Sequence, residues 1–187
     1  MIAATILAAG DARHHGQPKQ LVPCRGTTLI KAIACEVCAS TCEHAAVVLG
    51  AHADLIAPEL VGIEIAPLAN PPWATHVASQ LRVAIDWARQ CGAAALAIVG
   101  CDQPRVTAKH LDRLYASWRS EGRSVASRYS GTMGLPAVID ARDFDALLDD
   151  GLPIVVARSA AVPWPDGAFA APTVRETLTD VIRRRIS

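Results

Sequence analysis

Three short runs of small aliphatic residues recur along the first hundred positions, each stopped by a glycine or a polar turn: IAATILA at residues 2–8, AAVVLG at 45–50 and AALAIVG at 94–100. None of them alternates apolar with polar side chains. A strand of this kind must be covered on both faces, which is the condition of a parallel sheet held between helices. Helical spacing of apolar residues fills the intervals, at residues 28–39, 52–60, 77–91 and 107–121. Thr107 stands as an N-cap ahead of AKHLDRLYASW. Strand and helix alternating at this rhythm predict an α/β fold with a doubly wound, mostly parallel sheet in three layers, Rossmann-like in plan.

The second half is less regular. Residues 123–128 and 135–140 read as strands, and 142–148 as a helix. Residues 154–162 suit either state, 163–172 carry the prolines and glycine of a loop, and 173–186 read as a terminal helix with Arg183, Arg184 and Arg185 in its last turn. No repeat or linker divides the chain, so residues 1–187 are expected to form one domain. Only 4% of residues are aromatic, which leaves Ala, Val, Leu and Ile to fill the core. Eighteen Lys and Arg balance eighteen Asp and Glu, which argues against a nucleic-acid or membrane-surface partner recognised by net charge. The apolar N-terminus is cut at Gly10 and Asp11, far short of a membrane span, and the expected location is the cytoplasm. There the six cysteines are reduced thiols. Cys35, Cys38 and Cys42 fall on one face of a helix among small apolar residues, which favours a packing face over ligation of zinc or an iron–sulfur cluster.

The loop that leaves the first strand carries the chemistry. In LAAGDARHHGQPKQL, Gly10 and Gly16 let the backbone turn N–H groups towards an anion, and Lys19 can reach phosphate oxygens as a point charge. The spacing is neither a dinucleotide-binding fingerprint nor a P-loop, and an ordinary turn with a surface lysine has the same composition. Asp102 follows the third strand, at the carboxyl edge where α/β sheets bind ligands; a turn aspartate ahead of the helix at Thr107 is the other reading.

Taken together, the motifs are more specific. Leu7, Ala8, Ala9, Gly10, Gly16 and Lys19, then Asn70, Pro71, Trp73, Ser79 and Leu81, then Gly100, Asp102, Gln103 and Pro104, and finally Gly134 and Pro136, resemble in order and spacing the molybdenum cofactor nucleotidyltransferase family. The string Pro18, Lys19, Gln20, Leu21 is similar to that of its cytidylyltransferase branch. The resemblance implies the nucleotidyltransferase form of the fold. It also implies transfer of a nucleoside monophosphate from an NTP, CTP in preference to GTP, to a phosphorylated acceptor such as molybdopterin, with release of pyrophosphate and a molybdoenzyme or cofactor-maturation protein as a possible partner. Carried over residue by residue, it gives Lys19, Arg13, His14 and Asp102 catalytic roles. Leu7, Ala8, Ala9, Gly10, Lys19, Asn70, His76 and Ser79 would bind nucleotide, with the Ala9 and Gly10 N–H groups on the triphosphate, and Asp102 would hold Mg²⁺.

The chain departs from the family inside this site. Ala12 stands for a serine, His14 for an arginine, His15 for an apolar residue, His76 for a glycine and Gln80 for a serine. Near the C-terminus Ala171, Pro172, Thr173 and Val174 replace a segment that carries a second metal-binding aspartate; Arg13 or Asp166 could stand in. Asp149, Asp150 and Gly151 are the remnant of a further family element. These losses leave a non-catalytic nucleotide- or cofactor-binding protein as the alternative function. They also bring imidazoles: His14, His15 and His76 are read first as polar substitutes without a role, and otherwise as a repurposed site in which they, with Cys101 or Asp102, would suit a transition metal better than Mg²⁺.

Overall fold

The computed structural model describes residues 1–11, 16–71 and 76–165, and at Arg13 and His14 the backbone alone. The chain opens with β1 (Ile2–Leu7), two small hairpins, β2 (Arg13–His14) with β3 (Gln17–Pro18) and β4 (Pro23–Cys24) with β5 (Thr27–Thr28), and then α1 (Leu29–Cys38). There follow β6 (His44–Leu49), a short α2 (Ala53–Ile56) continued by a 3₁₀ turn (Ala57–Leu60), β7 (Ala66–Ala69), α3 (Val77–Gln90), β8 (Ala95–Gly100) and α4 (Ala108–Glu121). The last described elements are β9 (Val125–Tyr129), β10 (Thr132–Asp140), α5 (Phe144–Asp149), α6 (Leu152–Arg158) and β11 (Ala160–Pro163).

Seven strands form one sheet in the order β11-β9-β10-β8-β1-β6-β7. Every neighbouring pair is parallel except those made by β10, which runs against both β8 and β9. The fold is therefore the mostly parallel α/β sheet that the apolar runs predict. Alternation along β1 divides the core between two faces. Ile2, Ala4 and Ile6 pack on one side with residues of α1 and α4, and Ala3 and Leu7 on the other with residues of α3, α5 and α6. All six residues of β1 and of β8 are buried, which is why neither strand shows a polar face in the sequence.

The remaining expectations are met unevenly. Thr107 does cap α4, accepting the His110 N–H on its hydroxyl at 3.3 Å. The ambiguous stretch 154–162 divides into the end of α6 and the edge strand β11. The loop expected from Pro163 begins with that strand's last residue and the buried Trp164, whose ring stacks on His110 at 4.6 Å between centroids. Edge strand β7 was not expected, because APLA is only four residues long and carries a proline. The terminal helix of residues 173–186 lies outside the described residues.

At the end of β10, Asp140 gathers donors from two residues: the Arg142 guanidinium (Nε 2.8 Å) and backbone N–H (3.0 Å), and the Trp118 indole (3.0 Å). The hydrogen bonds from Arg142, first of all, hold the Asp140 carboxyl at about 2, below its ordinary value of 3.8. A folded-state value below the unfolded one contributes stability above pH 4 that is lost as pH falls towards 2. Asp140→Asn is expected to cost about 1 kcal/mol at pH 7, since the exposed guanidinium is screened by solvent. Thermal melts should show that difference vanishing between pH 4 and pH 2, and a difference independent of pH would contradict the assignment.

Candidate active site

Register brings the chemistry to one edge. Leu7 of β1 pairs with Val48 of β6 and with Gly100 of β8, so the segments beginning at Ala8, Gly50 and Cys101 leave the sheet side by side at its carboxyl end. The chain passes from β1 to β6 on one side and returns through α3 to β8 on the other. The crevice between β1 and β8 is thus a topological switch point, the usual place for a ligand in such sheets. β10, running the other way, brings Gly134 and Leu135 to the same edge.

A cavity of about 620 Å³ opens there. At its polar end Lys19 Nζ lies 3.2 Å from Asp102 Oδ2, joining residues 83 positions apart. Both side chains are half-buried, so the pair faces the cavity and also reaches solvent. Lys19 begins the 3₁₀ turn after β3, and Asp102 follows β8. A Cβ on Gly100 would stand 2.8 Å from Asp102 Oδ1, so any larger residue there displaces the carboxylate. Behind the carboxylate, Gln103 accepts the Gly100 N–H at 3.1 Å and donates to the Leu135 carbonyl at 2.5 Å, tying the ends of β8 and β10 together inside the protein. Across β10, a Cβ on Gly134 would collide with the Tyr129 hydroxyl. Burial first, and then the Asp102 charge, raise the Tyr129 phenol. The same two causes push the neighbouring Cys101 thiol up to about 12.

The sequence-predicted residues divide around this cavity. Leu7, Gly10, Lys19, Ser79 and Asp102 line it. Ala8 and Ala9 are buried beneath it, Asn70 is buried beside β6 with its N–H on the Leu49 carbonyl, and His76 is exposed at the start of α3. The Ala9 N–H, expected on a triphosphate, instead donates to Gln80 Oε1 at 3.1 Å, and the Ala8 N–H is taken by the Val48 carbonyl at 3.0 Å. Ser79 turns its hydroxyl to the His76 carbonyl at 2.8 Å. Arg13 and His14 sit in the β2–β3 hairpin opposite Pro18 and Gln17. Their side chains lie outside the described residues, as do Ala12, His15, Trp73, Asp166 and the 171–178 segment. Among the described residues no group of three or more His, Cys, Asp and Glu side chains is arranged to hold a metal. The three cysteines of α1 and its C-terminal turn are free thiols without such a group.

Sequence reasoning missed the amides that hold the loop. Gln20 donates to the Ala8 carbonyl at 2.8 Å and the Gly10 carbonyl at 3.0 Å, while Gln80 holds Ala9 from α3. His52, at the start of α2, brings Nε2 within 2.7 Å of Asp11 Oδ1 and links the loop to the end of β6. The only signal for these roles is that Gln20 stands beside Lys19, and Gln80 where a smaller residue is usual.

Comparison with known proteins settles the kinship. The sequence model of the MobA-like NTP transferase domain matches residues 4–153, from β1 through the start of α6. The chain belongs to the MobA-like NTP transferase family. Its relatives are enzymes by name, one a transferase and another an oxidoreductase. Molybdenum cofactor guanylyltransferase of Rhodobacter capsulatus is 31% identical over 125 residues, which is 66% of this chain and 62% of that protein's length. Nicotine blue oxidoreductase of Paenarthrobacter nicotinovorans is 28% identical over 161 residues, 86% of this chain and 76% of the relative. Among solved structures, Rv0371c of Mycobacterium tuberculosis H37Rv in complex with manganese superposes with a TM-score of 0.69 at 22% identity, covering 96% of this chain and 98% of the other. In this MobA-like chain no helix among the described residues is long and apolar enough to cross a membrane.

Proposed function

We propose that the chain transfers a nucleoside monophosphate from an NTP to a phosphorylated small-molecule acceptor. The observation that carries this reading is the Lys19–Asp102 pair at the polar end of one cavity, at the switch point of the sheet. A phosphate oxygen of the acceptor forms a bond to the α-phosphorus, the α–β phosphoanhydride bond breaks, and pyrophosphate leaves with the electron pair. Lys19 neutralises charge that grows on the phosphate oxygens, and Gly10 offers backbone at the cavity wall, with space above its Cα. Asp102 fits a divalent cation: one carboxylate, reachable from the cavity, is enough for Mg²⁺ when substrate phosphates complete the shell. The cation supplies Lewis-acid charge at those phosphates. The manganese complex of Rv0371c supports a divalent ion, and the name of the guanylyltransferase relative supports an acceptor of the molybdenum cofactor type, molybdopterin being the form proposed. Arg13 and His14 remain candidates for contact with the phosphates, and the cytoplasm remains the proposed location.

Two measurements test the reading. With Mg²⁺, an NTP and a phosphorylated acceptor, the protein should release pyrophosphate. Lys19→Ala should lower turnover by about a hundredfold while moving the melting temperature little, because a half-exposed ion pair contributes on the order of 1 kcal/mol or less. Undiminished pyrophosphate release in that variant removes the loop from the chemistry. For the base, Ala9 and the Pro18–Leu21 string favour CTP, although the guanylyltransferase relative is named for the other nucleotide. In a competition titration CTP should displace GTP, and displacement of CTP by equimolar GTP would reverse the assignment.

A further inference from the structure

The cavity is not uniform. Lys19 and Asp102 line it, and so do six aliphatic residues, Leu135, Leu147, Leu148, Leu152, Pro153 and Val156, from β10, α5 and α6. Leu135, Leu147 and Val156 are buried in the core beneath, whereas Leu148, Leu152 and Pro153 keep part of their surface open. The acidic side chain on that wall, Asp150, is turned into an ion pair with Arg158 at 3.1 Å. Arg82 also lines the cavity, from α3. These features give one space lined both by cations and by aliphatic carbon.

Resting on the nucleotidyl-transfer reading above, we infer that the α5–α6 wall is the acceptor subsite and that it selects a phosphate monoester with an apolar, ring-sized body over a polyhydroxylated sugar phosphate. A sugar placed against six aliphatic residues would give up hydrogen bonds to water and find no protein partner. An apolar ring there loses water contact favourably, and its phosphate still reaches Lys19 and Arg82. The size of the cavity lies within the range of small-molecule sites, so ring and phosphate fit together in it. Continuity with the reactive end favours a substrate as the occupant over a separate protein partner.

The test uses two probes of the same charge. 1-Naphthyl phosphate and ribose 5-phosphate are titrated by calorimetry into the full chain. Naphthyl phosphate should bind at least about tenfold more tightly, the effect of burying one ring against carbon. Leu148→Asn and Leu152→Asn, at half-buried positions, should each remove most of that preference and leave ribose 5-phosphate affinity unchanged; thermal melts verify their folding. Equal affinity of the two probes for the parent protein overturns the proposal without recourse to any variant, and so does a preference that survives both substitutions. CTP titrated in parallel separates the two claims. Naphthyl phosphate preference without nucleotide binding sinks the transferase reading and keeps the apolar subsite. Nucleotide binding and pyrophosphate release without that preference does the reverse.

Discussion

Asp102→Asn is expected to reduce pyrophosphate release by about a thousandfold or more and to leave the melting temperature within a few degrees of the parent. The two side chains have nearly the same shape, so the turn held by Gln103 persists. What changes is charge. A neutral amide cannot hold a divalent cation among phosphates, and Lys19 loses the partner 3.2 Å away that fixes its ammonium. A second readout reports the charge without any turnover. The Asp102 carboxylate contributes to the raised phenol of Tyr129, so its removal should bring the Tyr129 titration down towards the usual tyrosine range. The chain has two tyrosines, and ultraviolet absorbance can follow the phenolate step of both. Full activity of the asparagine variant at saturating Mg²⁺ would place the metal elsewhere, and an unmoved Tyr129 titration would mean the two groups do not sense each other.

Gln103→Ala should be the most destabilising single change near the site. The amide serves two buried backbone groups, the Gly100 N–H and the Leu135 carbonyl, and is itself 3% exposed. Truncation strands both and leaves a cavity, for a loss of about 2–3 kcal/mol, or roughly 5–10 °C in melting temperature for a chain of this size. Activity should fall beyond what the lost stability explains, by about tenfold at temperatures where the variant is fully folded, because the turn carrying Asp102 is no longer fixed against β10. Gln103→Glu is the informative companion: its carboxylate still accepts from Gly100 but turns a like partial charge on the Leu135 carbonyl, so it should be no better than alanine. A glutamate variant with parental stability and turnover would show that the link to β10 is dispensable.

How much of this was legible before any coordinates depended on whether a residue's environment leaves a mark in the sequence. β1, β6 and β8 did, because burial on both faces permits only small aliphatics. β7 and β11 did not: each is four residues long and lies at a sheet edge, and proline, a usual sign against a strand, occurs in both. Lys19 and Asp102 were singled out by order and spacing, and their meeting across 83 positions follows from β1 and β8 being neighbours. The employment of the Ala9 N–H was not legible. It depends on the reach of Gln80 from the first turn of α3, and nothing in a helical pattern tells a glutamine that points inward from one in solvent. The α5–α6 wall was hidden for a related reason. Leucines at helical spacing read as core, and only the open surface of Leu148 and Leu152 shows that part of that core faces a cavity.

The two glutamines that grip residues 8–10 from opposite sides have a kinetic consequence. Gln20 holds the carbonyls of Ala8 and Gly10, and Gln80 holds the intervening N–H, so this stretch of backbone has its shape fixed by the protein itself. A nucleotide arriving there does not spend its interaction energy on ordering a slack loop. Capture should then be a single encounter, with an observed rate that climbs in proportion to nucleotide concentration and shows no plateau in stopped-flow. Cutting either amide back to alanine should introduce the plateau, as the loop would first have to find the conformation that the parent holds in advance.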